Sequence, residues 1–307
     1  MNVPADFPLE EYEALRRGFG CVELVDWTSI TLAGKDRRTL LNNFCTNDVK
    51  RLQPGERCEA FILNVKGKIL GHGLVDCRAE ELAFITVPGQ AEKLMAHLDR
   101  YIIREDVQLR DSTAERKYVL IAGGDGAGAE LTRDRWIHWR LLDTEICGLI
   151  ESPSAGITAL RDELRADGAA VCGTAAFDAL RIESAMPLYG VDFNEENLPQ
   201  EVGRDDEAIS FTKGCYLGQE TVARIDALGH VNQEIVGVRF AGDAIPAAGA
   251  ELSSGGAAAG RVTSATFSPL LTAPLALAMV RRAFASPGTM LESAAGECEV
   301  VDLPAHS

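Results

Sequence analysis

The stretch Ser210-Phe211-Thr212-Lys213-Gly214-Cys215-Tyr216-Leu217-Gly218-Gln219-Glu220-Thr221-Val222-Ala223-Arg224 is the part of the chain around which the rest is organised. Two glycines, Gly214 and Gly218, bracket a tight turn, and residues 219–228 carry the apolar spacing of a short helix. We therefore predict that Cys215 lies in a loop just ahead of a helix N-terminus.

Two interpretations of Cys215 stay open on the residues alone. Unpaired N–H groups and the helix dipole favour an anion at a helix N-terminus and lower the pKa of a thiol there. Lys213 adds a positive charge if its side chain turns the same way. Alternatively, Cys215 is a small buried hydrophobe, which is the commonest fate of a free cysteine.

Composition sets bounds on the class of protein. The 307 residues are 46% hydrophobic and 25% charged, which is an ordinary globular balance with room for two or three domains. A formal net charge of -16 argues against a broad phosphate-binding surface, so no direct nucleic-acid partner is expected. No apolar run reaches the length of a membrane span, so no membrane association is expected.

The eight cysteines are scattered, and their spacing fits neither a zinc site nor a ferredoxin. No metal site is therefore predicted. The chain shows no secretory segment, so reduced thiols and a cytoplasmic location are expected. The absence of a coiled-coil pattern favours a monomer.

The order of apolar runs and turns predicts an α+β protein. Between residues 59 and 110, strand patterns alternate with Gly-rich turns and one amphipathic helix over 90–103. After His230, six short apolar runs separated by Gly and Pro indicate a small β-barrel or sandwich.

Three motif clusters resemble one family, the YgfZ-type folate-binding proteins, a branch related to the T protein of the glycine cleavage system. The first is KGCYLGQETVAR, which matches at Lys213, Gly214, Cys215, Tyr216, Gly218, Gln219 and Glu220. The second is LAGKDRRTLLNNFCTNDV, with Asn47 and Asp48 in its terminal turn. The third is RIESAMPLYGVDFNEENLPQE, which matches at Arg181, Glu183, Tyr189, Gly190, Asp192, Pro199 and Glu201.

The resemblance implies a three-domain cloverleaf around a central folate hole. Residues 1–47 plus 112–230 would form a folate-binding domain that carries the cysteine motif. Residues 48–111 would form an α+β ferredoxin-like domain, and residues 231–307 a C-terminal β-barrel. Both α+β domains would have antiparallel sheets.

The resemblance also implies a cofactor, tetrahydrofolate or a one-carbon derivative, with candidate binding residues Glu201, Tyr189, Asp192, Arg224, Asn47 and Asp48. A carboxylate such as Glu201 can accept two hydrogen bonds from the edge of a pterin. Two alternatives remain from the residues: Glu201 is a surface acid, and the 46–48 segment merely turns the chain.

The expected chemistry departs from that of the T protein at one place. Its acidic pair aligns with Gly71 and His72 here, so turnover as an aminomethyltransferase is not expected. The resemblance instead implies an iron–sulphur cluster assembly or repair factor whose Cys215 thiol, supported by Lys213, transiently contacts a cluster.

The expected partners are iron–sulphur assembly proteins or client enzymes, with any effect on thiolated tRNA indirect. One thiol cannot hold such a cluster alone, because these clusters take four ligands. The alternatives are a folate-dependent aminomethyl or methyl transferase, and a folate sensor without chemistry.

Overall fold

Three β-sheets organise the residues that a computed structural model describes, which are 3–124 and 136–305. The elements up to residue 111 are, in chain order, α1 (Leu9–Arg16), β1 (Phe19–Leu24), β2 (Thr28–Ala33), α2 (Arg37–Asn42), β3 (Arg57–Leu63), β4 (Ile69–Cys77), β5 (Glu81–Thr86), α3 (Ala91–Asp99) and β6 (Gln108–Asp111). The apolar runs of β3, β4 and β5 and the amphipathic spacing of α3 account for these elements.

The second half continues with both helices and strands. Its elements are β7 (Arg116–Gly123), β8 (Trp136–Ile137), β9 (Ile146–Pro153), α4 (Ile157–Ala166), β10 (Ala170–Val171), α5 (Thr174–Glu183), α6 (Asp205–Ala208), α7 (Gln219–Leu228), β11 (Gln233–Phe240), β12 (Glu251–Ser254), β13 (Ala257–Ser268), β14 (Ala273–Arg281), β15 (Met290–Ser293) and β16 (Gly296–Val301). The helix predicted over 219–228 is confirmed at both ends.

The first sheet has the order β10-β1-β7-β9-β8, and the second has the order β3-β4-β5-β2-β6. All pairs in the second sheet are antiparallel, as predicted for the α+β unit. In the described part of the first sheet, only the short β10 pairs in parallel, with β1.

Strand β2 belongs to the second sheet although its residues fall in the first of the predicted domains. The boundary expected after residue 47 assigned β2 to the first unit, but β2 pairs with β5 and β6 of the second sheet. Its Ile30 and Leu32 are buried in the same apolar cluster as Phe84 and Leu82. Burial against Phe84 and Leu82 determines which sheet β2 joins. The apolar run of β2 in the sequence predicts a strand but does not show which strand it pairs with.

Strands β11 to β16 close into a six-stranded barrel in the order β11-β14-β13-β12-β15-β16. The mixed α+β fold with a small C-terminal barrel is thereby confirmed. Its interior is filled by small and branched side chains, among them Val238, Val262, Ala276 and Val280.

The junction between the sheets is apolar and continuous. One buried cluster contains Tyr118 of the first sheet, Phe61 of the second and Met279 of the barrel. Phe193 and Tyr216, from the segments between α5 and α7, belong to the same cluster. Consequently, the motif-bearing segments pack where the three sheets meet.

Within the described residues, no helix has the length and apolar character needed to cross a membrane.

Candidate functional site

The loop that carries Cys215 is held by the residues on either side of the cysteine. Lys213 is 7% exposed, and its Nζ donates to the carbonyl oxygens of Asn42 at 2.7 Å, Cys45 at 2.8 Å and Asn47 at 2.6 Å. The buried Tyr216 ring lies 5.0 Å from the same ammonium group, a cation–π contact. Between these anchors Cys215 is exposed, as the loop prediction allows.

The contacts of Lys213 show a structural role, and its predicted support of Cys215 stays a prediction. An ammonium group has three N–H donors, and the three carbonyls use them all. Burial lowers the pKa of Lys213, and the thiol that lies near it is Cys45, at 3.9 Å. Lys213 therefore stabilises the 42–47 segment.

The glycine before α7 has a packing role. Gly218 has φ +81°, and a Cβ on it would lie 2.7 Å from the carbonyl oxygen of Asn64 and 2.8 Å from Cα of Gly67. The Thr221 hydroxyl donates to the carbonyl of Lys66 at 3.1 Å. The start of α7 is thus packed tightly on the turn between β3 and β4. The positive φ and the lack of space for a Cβ explain why a glycine stands at this position of the motif.

Two residues predicted to bind folate, Asn47 and Asp48, have partners inside the protein, while the Arg224 side chain has none among the described residues, and their predicted role stays a prediction. The Asn47 amide donates to the carbonyls of Glu59 and Glu207, both at 2.9 Å, and its oxygen accepts from the Asp48 backbone. The Asp48 carboxylate pairs with Arg51 at 2.9 Å. The side chain of Arg224 is exposed on α7, and its guanidinium makes no hydrogen bond or ion pair with a described residue.

The carboxylate of Asp192 joins α5 to the barrel. Its side chain is 0% exposed and accepts four hydrogen bonds, from Arg181 Nη1 at 2.9 Å, Leu188 N at 2.9 Å, Thr263 Oγ1 at 2.7 Å and Ser264 Oγ at 2.6 Å. The predicted cofactor role of Asp192 stays a prediction, since its four acceptor positions are used inside the protein, where the carboxylate holds α5 and the barrel together. Because the sequence cannot show which partners a carboxylate finds in the folded chain, this role was not visible in the motif.

Tyr189 and the loop after it contact the second sheet. The Tyr189 hydroxyl accepts from Lys93 Nζ of α3 at 2.8 Å, and the same ammonium pairs with Glu195 at 2.7 Å. Further along, Ile69 N of β4 donates to the Asn197 carbonyl at 3.1 Å. The segment 189–201 therefore lies between the second sheet and the barrel.

Glu201 is buried at the end of this segment. Its Oε2 accepts from Asn197 Nδ2 at 2.9 Å, Leu198 N at 3.1 Å and Gln233 Nε2 at 3.4 Å. Its Oε1 has no partner among the described residues. Of the two oxygens predicted to bind a pterin, one is therefore used inside the protein.

A cavity of about 1060 Å³ opens beside Glu201, between the 189–201 segment and the outer face of the barrel. The residues along its wall that bear on a ligand are Asn197, Gln233, Arg261, Met279 and Arg281. This volume lies just above the range of about 300–1,000 Å³ that is typical of small-ligand pockets. Cys215 does not line the cavity, so the thiol and the cavity are separate features.

The structure adds a buried charged group that the sequence did not predict. Glu59 on β3 accepts from His72 Nε2 at 2.8 Å, Arg204 Nε at 2.9 Å, Arg204 Nη2 at 2.8 Å and Trp139 Nε1 at 2.9 Å. Burial alone would raise the pKa of this carboxyl, but His72 and Arg204 outweigh it and hold the pKa well below its ordinary value. The only sequence signal is a charged residue within an apolar strand.

Comparisons with known proteins agree with this architecture. Residues 1–128 match the GCVT N-terminal domain, and residues 233–305 match the glycine cleavage T-protein C-terminal barrel domain. An aminomethyltransferase of Nostoc sp. is 28% identical over 317 residues, which cover 92% of this chain and 82% of that protein. One of Synechococcus sp. (strain RCC307) is 29% identical over 315 residues, covering 95% and 87%.

The crystal structure of the glycine cleavage system aminomethyltransferase T from Bartonella henselae superposes with a TM-score of 0.84. That alignment covers 96% of this chain and 88% of the other, at 21% sequence identity, and so shows the shared fold.

Proposed function

Because the chain is related to the T protein of the glycine cleavage system, we propose that it binds tetrahydrofolate, or a one-carbon derivative of it, as a folate-dependent protein of the aminomethyltransferase type. The observation that carries this proposal is the cavity beside Glu201. Side-chain amides held by a buried carboxylate form part of its wall, and fixed polar groups of this kind orient a ligand.

The shape and chemistry of the cavity fit such a ligand. A tetrahydrofolate has a polar heterocyclic head, an aromatic middle and an anionic tail. Asn197, Gln233 and Arg281 supply hydrogen-bonding groups, Met279 supplies an apolar surface, and Arg261 supplies positive charge for the tail. Three carboxylates also line the cavity, those of Glu196, Glu251 and Glu292. Because their negative charge opposes that of the arginines, the cavity attracts an anion only in the immediate surroundings of each guanidinium.

The position that aligns with the acidic pair of the T protein has no available carboxylate. His72 occupies it, and the carboxylate bonded to His72 is Glu59, whose oxygens already accept four hydrogen bonds. A carboxylate enclosed in this way cannot also contact a folate nitrogen. We therefore expect folate binding with slow aminomethyl transfer.

Binding is tested by calorimetric titration of the protein with tetrahydrofolate under reducing, oxygen-free conditions. We expect saturable binding by the wild type, a loss of about tenfold or more in affinity for Glu201→Ala, and no change for the control Glu297→Ala on the exposed barrel surface. Absence of binding by the wild type would refute the proposal.

A second candidate function rests on Cys215. Its exposed thiol lies on a loop that Lys213 and Tyr216 hold in place, so a partner macromolecule can reach it. This favours thiol-dependent iron–sulphur cluster assembly or repair, with a partner protein supplying the other cluster ligands.

Iron–sulphur enzyme activities in cells lacking the protein test this second function. We expect them to be low, to be restored by the wild type and by the control Cys58→Ser, and to stay low with Cys215→Ser. Equal rescue by all three proteins would show that the Cys215 thiol is not required for this function.

A further inference from the structure

Two polar side chains stand next to each other on the barrel face that lines the cavity. Gln233, the first residue of β11, is the antiparallel partner of Arg281, the last residue of β14. Side chains of such partners lie about 5 Å apart at Cβ and point to the same face. Both residues line the cavity, and so does Met279 on the same strand as Arg281.

The orientation of the Gln233 amide is set by Glu201. Gln233 Nε2 donates to Glu201 Oε2 at 3.4 Å, and Asn197 Nδ2 and Leu198 N hold that oxygen in place. Because the nitrogen side of the amide is directed at the carboxylate, the carbonyl oxygen is the side left for another partner. Among residues 3–124 and 136–305, no group donates to Gln233 Oε1.

Arg281 complements this acceptor. It is exposed, and its guanidinium has no ion pair or hydrogen bond within the described part of the chain. The cavity wall therefore offers an acceptor and a planar cluster of donors on adjacent strands. Met279, which is 5% exposed, supplies an apolar surface beside them.

We propose that the cross-strand pair Gln233 and Arg281 recognises the heterocyclic head of the ligand, with Glu201 as a positioning residue. This inference rests on the proposed folate-binding function. A reduced pterin carries N–H donors on its 2-amino group and N3, next to an acceptor at its 4-oxo group. Gln233 Oε1 accepts from the N–H edge and Arg281 donates to the 4-oxo oxygen, so the pair matches both sides of this edge.

The first arm of the test measures which part of the ligand the pair contacts. The wild type, Gln233→Leu and Arg281→Met are titrated with tetrahydrofolate, with tetrahydropterin as the head alone, and with para-aminobenzoylglutamate as the tail alone. We expect each variant to lose about tenfold in affinity for tetrahydrofolate and tetrahydropterin and to be unchanged for the tail fragment.

The controls are matched by residue type and strand. Arg239→Met lies on β11 outside the cavity, and Asn232→Leu precedes Gln233; both are exposed and should bind like the wild type. Glu201→Gln tests positioning: it should weaken head binding in the presence of Gln233 and have no further effect in the Gln233→Leu background.

The possible results separate the two proposals. If the wild type binds no tetrahydrofolate, the proposed function fails. If the wild type binds but both variants retain its affinity for tetrahydropterin, or lose affinity for the tail fragment instead, the Gln233–Arg281 assignment is overturned while folate binding stands.

Discussion

Replacement of Glu59 by glutamine should destabilise the protein strongly, because the carboxylate is 6% exposed and accepts four hydrogen bonds. A glutamine keeps one acceptor oxygen, but its NH₂ group replaces the second carboxylate oxygen and cannot accept from the N–H donors of the surrounding residues. Two charge-assisted hydrogen bonds are then lost, at about 1.5–3 kcal/mol each, which gives a cost of about 3–6 kcal/mol. That range agrees with the cost of breaking a buried ion pair.

The free energy of unfolding is measured by urea titration, followed by tryptophan fluorescence, which includes Trp139 in the network. The matched control is Glu56→Gln, since Glu56 is exposed and accepts a single hydrogen bond, from Gln53 N at 2.8 Å. We expect the control to lie within about 0.5 kcal/mol of the wild type. A Glu59→Gln protein within 1 kcal/mol of the wild type would refute the reasoning.

The pH dependence follows from the lowered pKa of Glu59 in the folded state. An unfolded glutamate titrates near pH 4.3, so the folded state binds this proton less tightly than the unfolded state. The contribution of Glu59 is therefore complete above about pH 5 and is lost as the pH falls toward its folded pKa. The difference between wild type and Glu59→Gln should shrink accordingly below about pH 4.

Three further predictions concern the motif loop and its surroundings. Lys213→Met leaves three buried carbonyls without their donor and should cost about 2–4 kcal/mol in urea unfolding, whereas a loss below 1 kcal/mol would contradict the contacts. Gly218→Ala should destabilise the protein by at least about 1 kcal/mol more than Gly229→Ala at the other end of α7. Both glycines have positive φ, but only at residue 218 would the new Cβ clash with its neighbours, so equal losses would contradict the packing argument. Burial, followed by the nearby charges of Asp206 and Asp226, raises the pKa of Asp205 to about 6, so its ionisation destabilises the fold above that pH. Asp205→Asn should therefore stabilise the protein by roughly 1 kcal/mol at pH 8 and have no effect below pH 4, and equal effects at both pH values would refute this.

Local features of this protein followed from the sequence because their causes are local. The span of α7, the loop position of Cys215 and the six barrel strands depend on apolar periodicity and on glycines at turns, which neighbouring residues carry. Two of the three motif stretches contribute Tyr189 and Tyr216 to the apolar cluster at the junction of the sheets, a position that their sequence did not reveal.

The partners of buried polar groups were decided only by the tertiary structure. Lys213 was predicted to support the Cys215 thiol, and Asp192 was predicted to bind the cofactor. Each side chain uses its full hydrogen-bonding capacity on groups of the protein itself. The Glu59 network and the pairing of Gln233 with Glu201 join residues 13 to 145 positions apart. A buried charge must find its partners wherever the fold brings them, and sequence spacing carries no record of contacts at that range.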